Sequence, residues 1–466
     1  MKTASATVLS QIASILGTDN VSADSAKLAE YEVDGARPSV VARPGTAAEV
    51  AEVMRFAAAE KLAVIPCGAR TKLGIGAPPQ RYDIALDLAR LNRVLAYDPG
   101  DLTLSVEAGL PLVQLSDTLA EHGQMLPLAV PFTSRTTVGG TIAAGVDSPL
   151  RQFYGTARDY VLGMEYVTGD GTAAKSGGRV VKNVAGYDLH KLLIGSLGTL
   201  GVITVVNFRT FPLPPASRGF LATFPSVEGA LDLRAKITAS HLQPLTLEIL
   251  SPELARIFAE RAPRFLPGDC PAPGPWFSTT EWTLAAGFGG NLPVLERYAH
   301  DLARMATETG AASSIVLGDD ERPLVWGRLR ECITLMLDSS PLATIVKISA
   351  RAAQLGRLLP ALQHTCEQHG FPFAAVTRGV GVIYLALLPW KNDAEEIRRL
   401  AETCAHLQDQ GTILGDHVTI PWCPTELKRR VSVWGLPRGD LDLMLKVKDV
   451  FDPQHVLSPG RFYGGI

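Results

Sequence analysis

Apolar residues first recur at helical spacing, at Val8, Ile12, Ile15 and Leu16, and the pattern stops at Gly17. Ser39 to Ala42 then reads as extended. Thr46 caps a second helical pattern through Val50, Val53, Met54, Phe56 and Ala57, with Glu49 completing a capping box. Leu62–Ile65 and Ile84–Leu88 follow as strands, so residues 39–95 predict strand, helix, strand, loop, strand. Thr103–Ala108 alternates like a strand, and Leu112–His122 is helical. Val161–Thr168 is a strand turning at Asp170-Gly171, a hairpin-type pair. Lys182–Leu197 has helical spacing, Gly201–Phe208 is strand-like, and Leu213-Pro214-Pro215 marks a domain boundary.

Beyond this point glycine-rich loops thin out. Strands at 245–250, 282–288, 344–349 and 380–388 alternate with helices at 295–305 and 355–369. That order predicts an α+β domain with helices on one face of an antiparallel sheet. Residues 441–451 form an amphipathic helix before a Pro- and Gly-rich tail.

Composition narrows the class. The 466 residues are 46% hydrophobic and 20% charged, with net charge −3, which suits a globular protein and gives no basic field for nucleic acid. Cys67, Cys270, Cys332, Cys366, Cys404 and Cys423 are scattered without a Cys-x-x-Cys pair. The expectation is a reducing compartment, with no iron–sulfur cluster and no cysteine zinc site. The beginning Met1-Lys2-Thr3-Ala4 lacks a signal-peptide core, and no apolar run is long enough to span a bilayer. A cytoplasmic protein that reaches membranes only through partner subunits is expected.

Three segments carry candidate chemistry. Pro66-Cys67-Gly68-Ala69-Arg70-Thr71-Lys72-Leu73-Gly74 follows a buried-looking strand. Its glycines permit close backbone approach, and successive N–H groups can line an anion nest. Thr137-Val138-Gly139-Gly140-Thr141-Ile142-Ala143-Ala144-Gly145 leaves room for something flat against the backbone, or for tight packing of two subdomains. Downstream, Arg158 and Asp159 read as a structural ion pair. The third segment runs from Lys182 to Ile203. Its Gly195, Gly198 and Gly201 have the wrong spacing and the wrong preceding element for a nicotinamide fingerprint.

In this order, across roughly residues 38 to 212, the three segments resemble the PCMH-type FAD-binding domain of the vanillyl-alcohol oxidase superfamily. The resemblance implies two subdomains sandwiching FAD. Pro66, Gly68, Ala69, Arg70, Thr71 and Lys72 would lie at the pyrophosphate. Pro131, Val138, Gly139, Gly140, Thr141, Gly145, Gly155, Arg158, Asp159, Val161, Gly201 and Ile203 would follow along the dinucleotide. The block from Val180 to Leu189, the run His122–Leu126 and the ending Pro459–Ile466 are similar to the GlcE-type FAD-binding subunits of bacterial glycolate oxidase. Members that attach FAD covalently usually carry a histidine in the first loop. None stands between Pro66 and Gly76, so non-covalent FAD is implied.

Related D-2-hydroxyacid dehydrogenases carry a histidine-rich metal motif late in the cap. Gly415-Asp416-His417 is the nearest match and holds one histidine, so no catalytic metal is expected. His417 suits a general base, or is a hydrogen-bonded structural histidine. Arg378, Arg351 and Lys347 are candidate clamps for a substrate carboxylate, or ordinary solvated surface.

The reading is therefore α+β. It comprises an FAD domain at 1–215 (subdomains about 1–100 and 101–215), a cap at 216–415 and a returning segment at 416–466. The expected function is the redox subunit of a glycolate/D-lactate-type dehydrogenase, partnered by a catalytic flavoprotein and an iron–sulfur protein. A stand-alone FAD dehydrogenase of a 2-hydroxy acid is the alternative, and a flavin-free scaffold is the third reading.

Overall fold

Strand and helix alternate from the start of the chain, and the alternation builds a small, mostly parallel sheet. The computed structural model describes residues 2–180, 186–261, 276–414, 417–435 and 439–466. Cys270, Lys182 to Ala185, Gly415 and Asp416 lie outside them. Strands β1 (Val21–Ser22), β2 (Val40–Ala42), β3 (Val64–Cys67) and β4 (Ile84–Asp87) lie in the order β1-β2-β4-β3. The pairs β2/β4 and β3/β4 are parallel because the helix Ala47–Ala59 makes the crossover. Thr46 caps that helix by accepting from Glu49 N, while the Glu49 carboxylate takes Gly45 N at 2.6 Å.

A second sheet holds β5 (Val94–Asp98), β6 (Thr103–Glu107), β8 (Val161–Val167), β9 (Ala173–Gly177) and β10 (Val202–Arg209), in the antiparallel order β5-β6-β10-β8-β9. A two-stranded ribbon pairs β7 (Gln124–Met125) with β11 (Phe211–Pro212). The sheet changes between β4 and β5, ahead of the expected 100/101 boundary. The helix expected over Lys182–Leu197 shrinks to His190–Leu193 among the described residues. Gly186 and Gly195 have positive φ, at 79° and 78°, and break the pattern on either side.

The third sheet has eight antiparallel strands: β12 (Ala216–Phe224), β13 (Thr246–Leu250), β14 (Trp282–Gly290), β15 (Ser313–Leu317), β16 (Thr344–Ser349), β17 (Ala374–Arg378), β18 (Val382–Leu387) and β19 (His417–Trp422). Their order is β15-β12-β14-β13-β17-β18-β16-β19. Side chains alternate between two cores. Phe220, Ile383, Leu385 and Leu387 join one, under Val227–Ala239, Leu292–Glu308, Leu355–Gln368 and Ala394–Leu414. Leu221, Val382, Tyr384 and Ala386 join the other, with Pro252–Glu260, Glu321–Arg330 and Cys332–Leu337. Helices therefore cover both faces, not one. The strands are nearly continuous apolar runs because both faces are buried.

The expected 415/416 boundary cuts this sheet, because β19 pairs with β16 as its edge strand. The return to the first domain comes later. Phe451 packs in the core of the second sheet, and Val456 and Leu457 pack in that of the first. Val64 N donates to Val456 O at 2.7 Å and Ser458 N to Val64 O at 2.8 Å, so the tail extends the first sheet beyond β3.

Candidate functional site

Strand β3 ends at the edge of an open cleft. The cleft is lined by residues 65–73, by Thr136, Thr137, Gly139, Gly140, Ala143 and Ala144, by 197–203 in part, and by Arg461. The loop bends where Arg70 takes φ 62°, and none of the Gly68, Ala69, Arg70 and Thr71 N–H groups donates to a group among the described residues. Four unspent donors in one concave loop form an anion nest. Gly68 is required by its neighbour, since a Cβ there would stand 2.2 Å from Thr137 Oγ1.

Arg70 stacks over the Tyr31 ring at 4.4 Å and reaches Asp87 and Glu30, so only its backbone faces the cleft. Cys67 is buried, and burial pushes its thiol well above the usual range. Lys72 differs. It is 8% exposed, its Nζ donates to Thr136 Oγ1 at 2.6 Å, and burial pulls its pKa down to about 7.

Two further cations and a carboxylate complete this end, and sequence reasoning missed all three. Glu331, fully buried in the cap, accepts from Phe132 N at 2.8 Å and Thr133 N at 3.2 Å, pinning a loop where Phe132 has φ 62°. Arg330 stands 3.8 Å from Glu331, and its buried Nε has no hydrogen-bond partner among the described residues. Arg461 is 2% exposed and donates through Nη2 to Leu73 O at 2.5 Å and to Ile75 O. Its Nη1 has no hydrogen-bond partner among the described residues, and burial lowers its pKa to about 10. The signal available in sequence was the Pro459-Gly460-Arg461 turn, which the resemblance marked only as a tail.

The predicted cofactor set is divided by the helix Val138–Ala144. Gly139, Gly140, Ala143 and Ala144 face the cleft. Thr141 and Gly145 face a second cavity, with Gly155, Arg158, Asp147 and Lys347. Gly201 and Ile203 line the first cleft, and so does Pro66. Pro131, Asp159 and Val161 line neither. Val138 N and Gly139 N are already donated to Leu110 O and Ala108 O, so these positions contribute room rather than hydrogen bonds. The expected Arg158–Asp159 ion pair is not made. Arg158 donates to Lys191 O, while Asp159 accepts from Thr156 N at 2.7 Å as a cap.

Strand pairing brings the three catalytic candidates to one end of the cap sheet. His417 pairs with Ser349, Ser349 pairs with Val382, and Ala350 N donates to Gly381 O. Their side chains divide. His417 and Arg351 are exposed. Arg378 is 4% exposed, not solvated surface. Its Nη1 donates to Glu248 Oε2 at 2.6 Å, and its Nε lies 3.4 Å from Asp147 Oδ2. Burial pushes the Glu248 carboxyl up to about 7. Lys347 and Arg378 share the Tyr384 ring, at 5.8 and 5.5 Å. Among the described residues no group of three His, Cys, Asp or Glu is placed to hold a metal, and no helix is long and apolar enough to cross a membrane.

The cleft suits a dinucleotide. It has a nest for a pyrophosphate, small residues for a flat ring and an orphaned buried guanidinium for an acceptor oxygen. The family model for an FAD binding domain matches residues 38–177, and that for the C-terminal domain of FAD linked oxidases matches 213–419. The chain is 22% identical over 463 residues to glycolate oxidase subunit GlcD of Bacillus subtilis, covering 98% of this chain and 96% of that one. It is 29% identical over 440 residues to D-2-hydroxyglutarate dehydrogenase of Xanthomonas citri, covering 91% and 89%. Glycolate oxidase subunit GlcE of Escherichia coli is 36% identical over 197 residues, which span 42% of this chain and 55% of that one. The crystal structure of p-cresol methylhydroxylase shares the fold, with TM-score 0.77 at 20% identity, covering 98% and 96%. The chain belongs to the FAD-linked oxidases, FAD-dependent oxidoreductases built on the PCMH-type fold of the vanillyl-alcohol oxidase family.

Proposed function

We propose that this FAD-linked oxidase oxidises a 2-hydroxy acid as the redox subunit of a glycolate/D-lactate-type complex, with FAD held non-covalently in the cleft beside β3. Bound FAD supplies the hydride and electron acceptor. The chain's own residues bind it, shield it and hold charge around it. Gly68 to Thr71 offer N–H donors to the pyrophosphate, and burial beside them pushes the Cys67 thiol well above its usual range. One observation carries the subunit reading. The cap's candidate carboxylate clamp, Arg378, is already held by Glu248 and Asp147, so it does not stand ready for a substrate. Exposed Leu443 and Val450, one above the other on the helix Leu441–Phe451, offer a partner subunit an apolar foothold. A catalytic flavoprotein and an iron–sulfur protein are the partners this reading takes.

A second reading is a stand-alone dehydrogenase. The relatives named glycolate oxidase subunit GlcD and D-2-hydroxyglutarate dehydrogenase, matched along nearly their whole length, favour it. Arg330, whose Nε lies 3.8 Å from Glu331 and makes no hydrogen bond among the described residues, replaces Arg378 as carboxylate clamp in that case, and exposed His417 remains the candidate base. The deciding measurement is the visible spectrum of the purified chain during anaerobic addition of glycolate, D-lactate and D-2-hydroxyglutarate. The subunit reading expects a yellow protein that dithionite bleaches and none of the three acids does. Bleaching by any one acid transfers the assignment to the stand-alone enzyme.

Lys72 gives FAD binding a pH dependence. Its pKa of about 7 means the cation is present below neutrality and lost above it. An anionic ligand favours the cation, so FAD affinity is expected to be greatest below about pH 7. It should then weaken by up to about tenfold per pH unit above. Titration of apoprotein with FAD from pH 6 to 9 should show this slope, and Lys72→Met should flatten it. An equal slope in the variant assigns the effect to another group.

A further inference from the structure

The eight-stranded sheet has two edges, and they differ. At β19 the outer side is covered, since Ile420 N donates to Val433 O at 2.7 Å. At β15 no described residue covers it. That strand pairs with β12 alone, and Ser313, Ser314, Ile315 and Val316 are all exposed. Ile315 and Val316 keep 43% and 40% of their surfaces in solvent. Open edges are normally blunted by charge, brevity or cover. In the second sheet β5 ends on Asp98 and β9 carries Lys175, and in the first the tail continues the pairing beyond β3. The stretch from Thr309 to Gly318 has no charged residue and no proline. Such a row of bare backbone groups between β-branched side chains is a template for one more strand. On the side of the helix Leu292–Glu308 the edge borders an apolar groove lined by Phe220, Leu295, Tyr298, Leu302 and Val316. The charges at its two ends have opposite balance. Near the start, Lys236 and Arg304 share Glu308, two cations to one carboxylate, while Asp301 lies about two turns behind Glu308 on the same helix, beside His241. Past the finish, Asp319, Asp320 and Glu321 outnumber Arg218 and Arg322.

We propose that β15 pairs with β15 of a second copy of this chain, antiparallel about a two-fold axis at Ile315, so that the two cap sheets run on as one. Antiparallel pairing of identical strands is isologous and closes at two copies. Ser313 then faces Leu317, Ser314 faces Val316 and Ile315 faces itself, at the roughly 4.5–5.5 Å Cα spacing of antiparallel neighbours. The acidic finish of each strand meets the cation-rich start of the other, which favours this direction over a parallel one. The inference is independent of what the cleft binds.

The test is sedimentation velocity of the full-length chain from about 1 to 100 μM, the range in which a modest interface associates. Wild type should be a dimer at the upper end. Ile315→Lys sets like charges face to face on the axis and should weaken association at least about 100-fold. Ile315→Glu should do the same, and an equimolar mixture of the two variants should restore the dimer. Unchanged far-ultraviolet circular dichroism checks that each variant is folded. A wild-type chain that stays single throughout overturns the proposal and leaves the edge to a different protein. Dimers that persist equally in Ile315→Lys place the contact elsewhere and overturn it as well. Assemblies larger than two copies rule out the closed pairing, and a mixture that stays single rules out the axis at Ile315. If both charged variants fail to fold, Ile315→Cys decides. A short bismaleimide should join two such chains through the new thiol and leave wild type unjoined, and equal cross-linking of the two, or none, sinks the pairing.

Discussion

Replacing Arg378 by Met should be among the most destabilising single changes in the cap, costing on the order of 3–5 kcal/mol. The guanidinium is buried between Glu248 and Asp147, whose side chains are themselves 1% and 4% exposed. Removing it leaves two carboxylates in an apolar setting with no cation between them, beside Tyr384 and Cys332. Since Asp147 follows the helix that borders the cleft and Glu248 belongs to β13, the same change loosens the contact between the domains. Urea unfolding of the two proteins measures the cost, and a difference below about 1 kcal/mol would remove the cluster's claim to be structural. The double variant Arg378→Met/Glu248→Leu should recover part of the loss, because it removes one of the two carboxyl groups left without a cation.

The pH dependence has a definite sign. Burial raises the Glu248 carboxyl to about 7, above its value in an unfolded chain of about 4.3. The folded protein therefore holds a proton that the unfolded chain has released. The stability this contributes is fully present below the unfolded value and is lost as pH rises through about 7. Glu248→Gln should remove that part of the slope.

Gly68→Val should abolish FAD loading while leaving the fold intact. A Cβ at this position would come within 2.2 Å of Thr137 Oγ1 and 3.0 Å of its Cγ2, so the loop must shift away from the helix it touches. The free N–H groups shift with it. Losing two hydrogen bonds to a charged pyrophosphate, at about 1.5–3 kcal/mol each, corresponds to roughly 100-fold or more in affinity. The purified variant should be colourless with wild-type far-ultraviolet circular dichroism. Thr137→Ala in the same chain should restore part of the yellow colour by vacating the Oγ1 position. A Gly68→Val protein as yellow as wild type would show that this loop does not hold the pyrophosphate.

The parts of the fold legible in sequence are those whose causes are local. The Thr46 cap, the strands at 62–65 and 84–88, and the glycine loops each declare themselves within about ten residues, because capping, period and backbone freedom act over that range. Arg378 could not be read this way. It ends a strand before Gly379 and looks like an exposed edge, yet its carboxylates come from Glu248 and Asp147, far away in the chain. The cap's second helical layer was hidden for a similar reason, since a strand buried on both faces no longer alternates. The helix expected over 182–197 failed because apolar spacing outvoted glycines that need positive φ. Lys72 was legible as a loop residue but not as a buried cation, because burial depends on Phe132 and Glu331 arriving from elsewhere.

The bond from Arg461 to Leu73 spans 388 positions. A chain emerging from the ribosome completes the glycine loop early, then must make the whole eight-stranded cap before the residue that finishes the cleft exists. Contacts of such separation are slow to form, and the loop waits with its donors bare. Cofactor capture is thereby expected after the cap has been made rather than before it. An isolated amino-terminal half, however well its own sheets form, would lack one wall of the site it encodes.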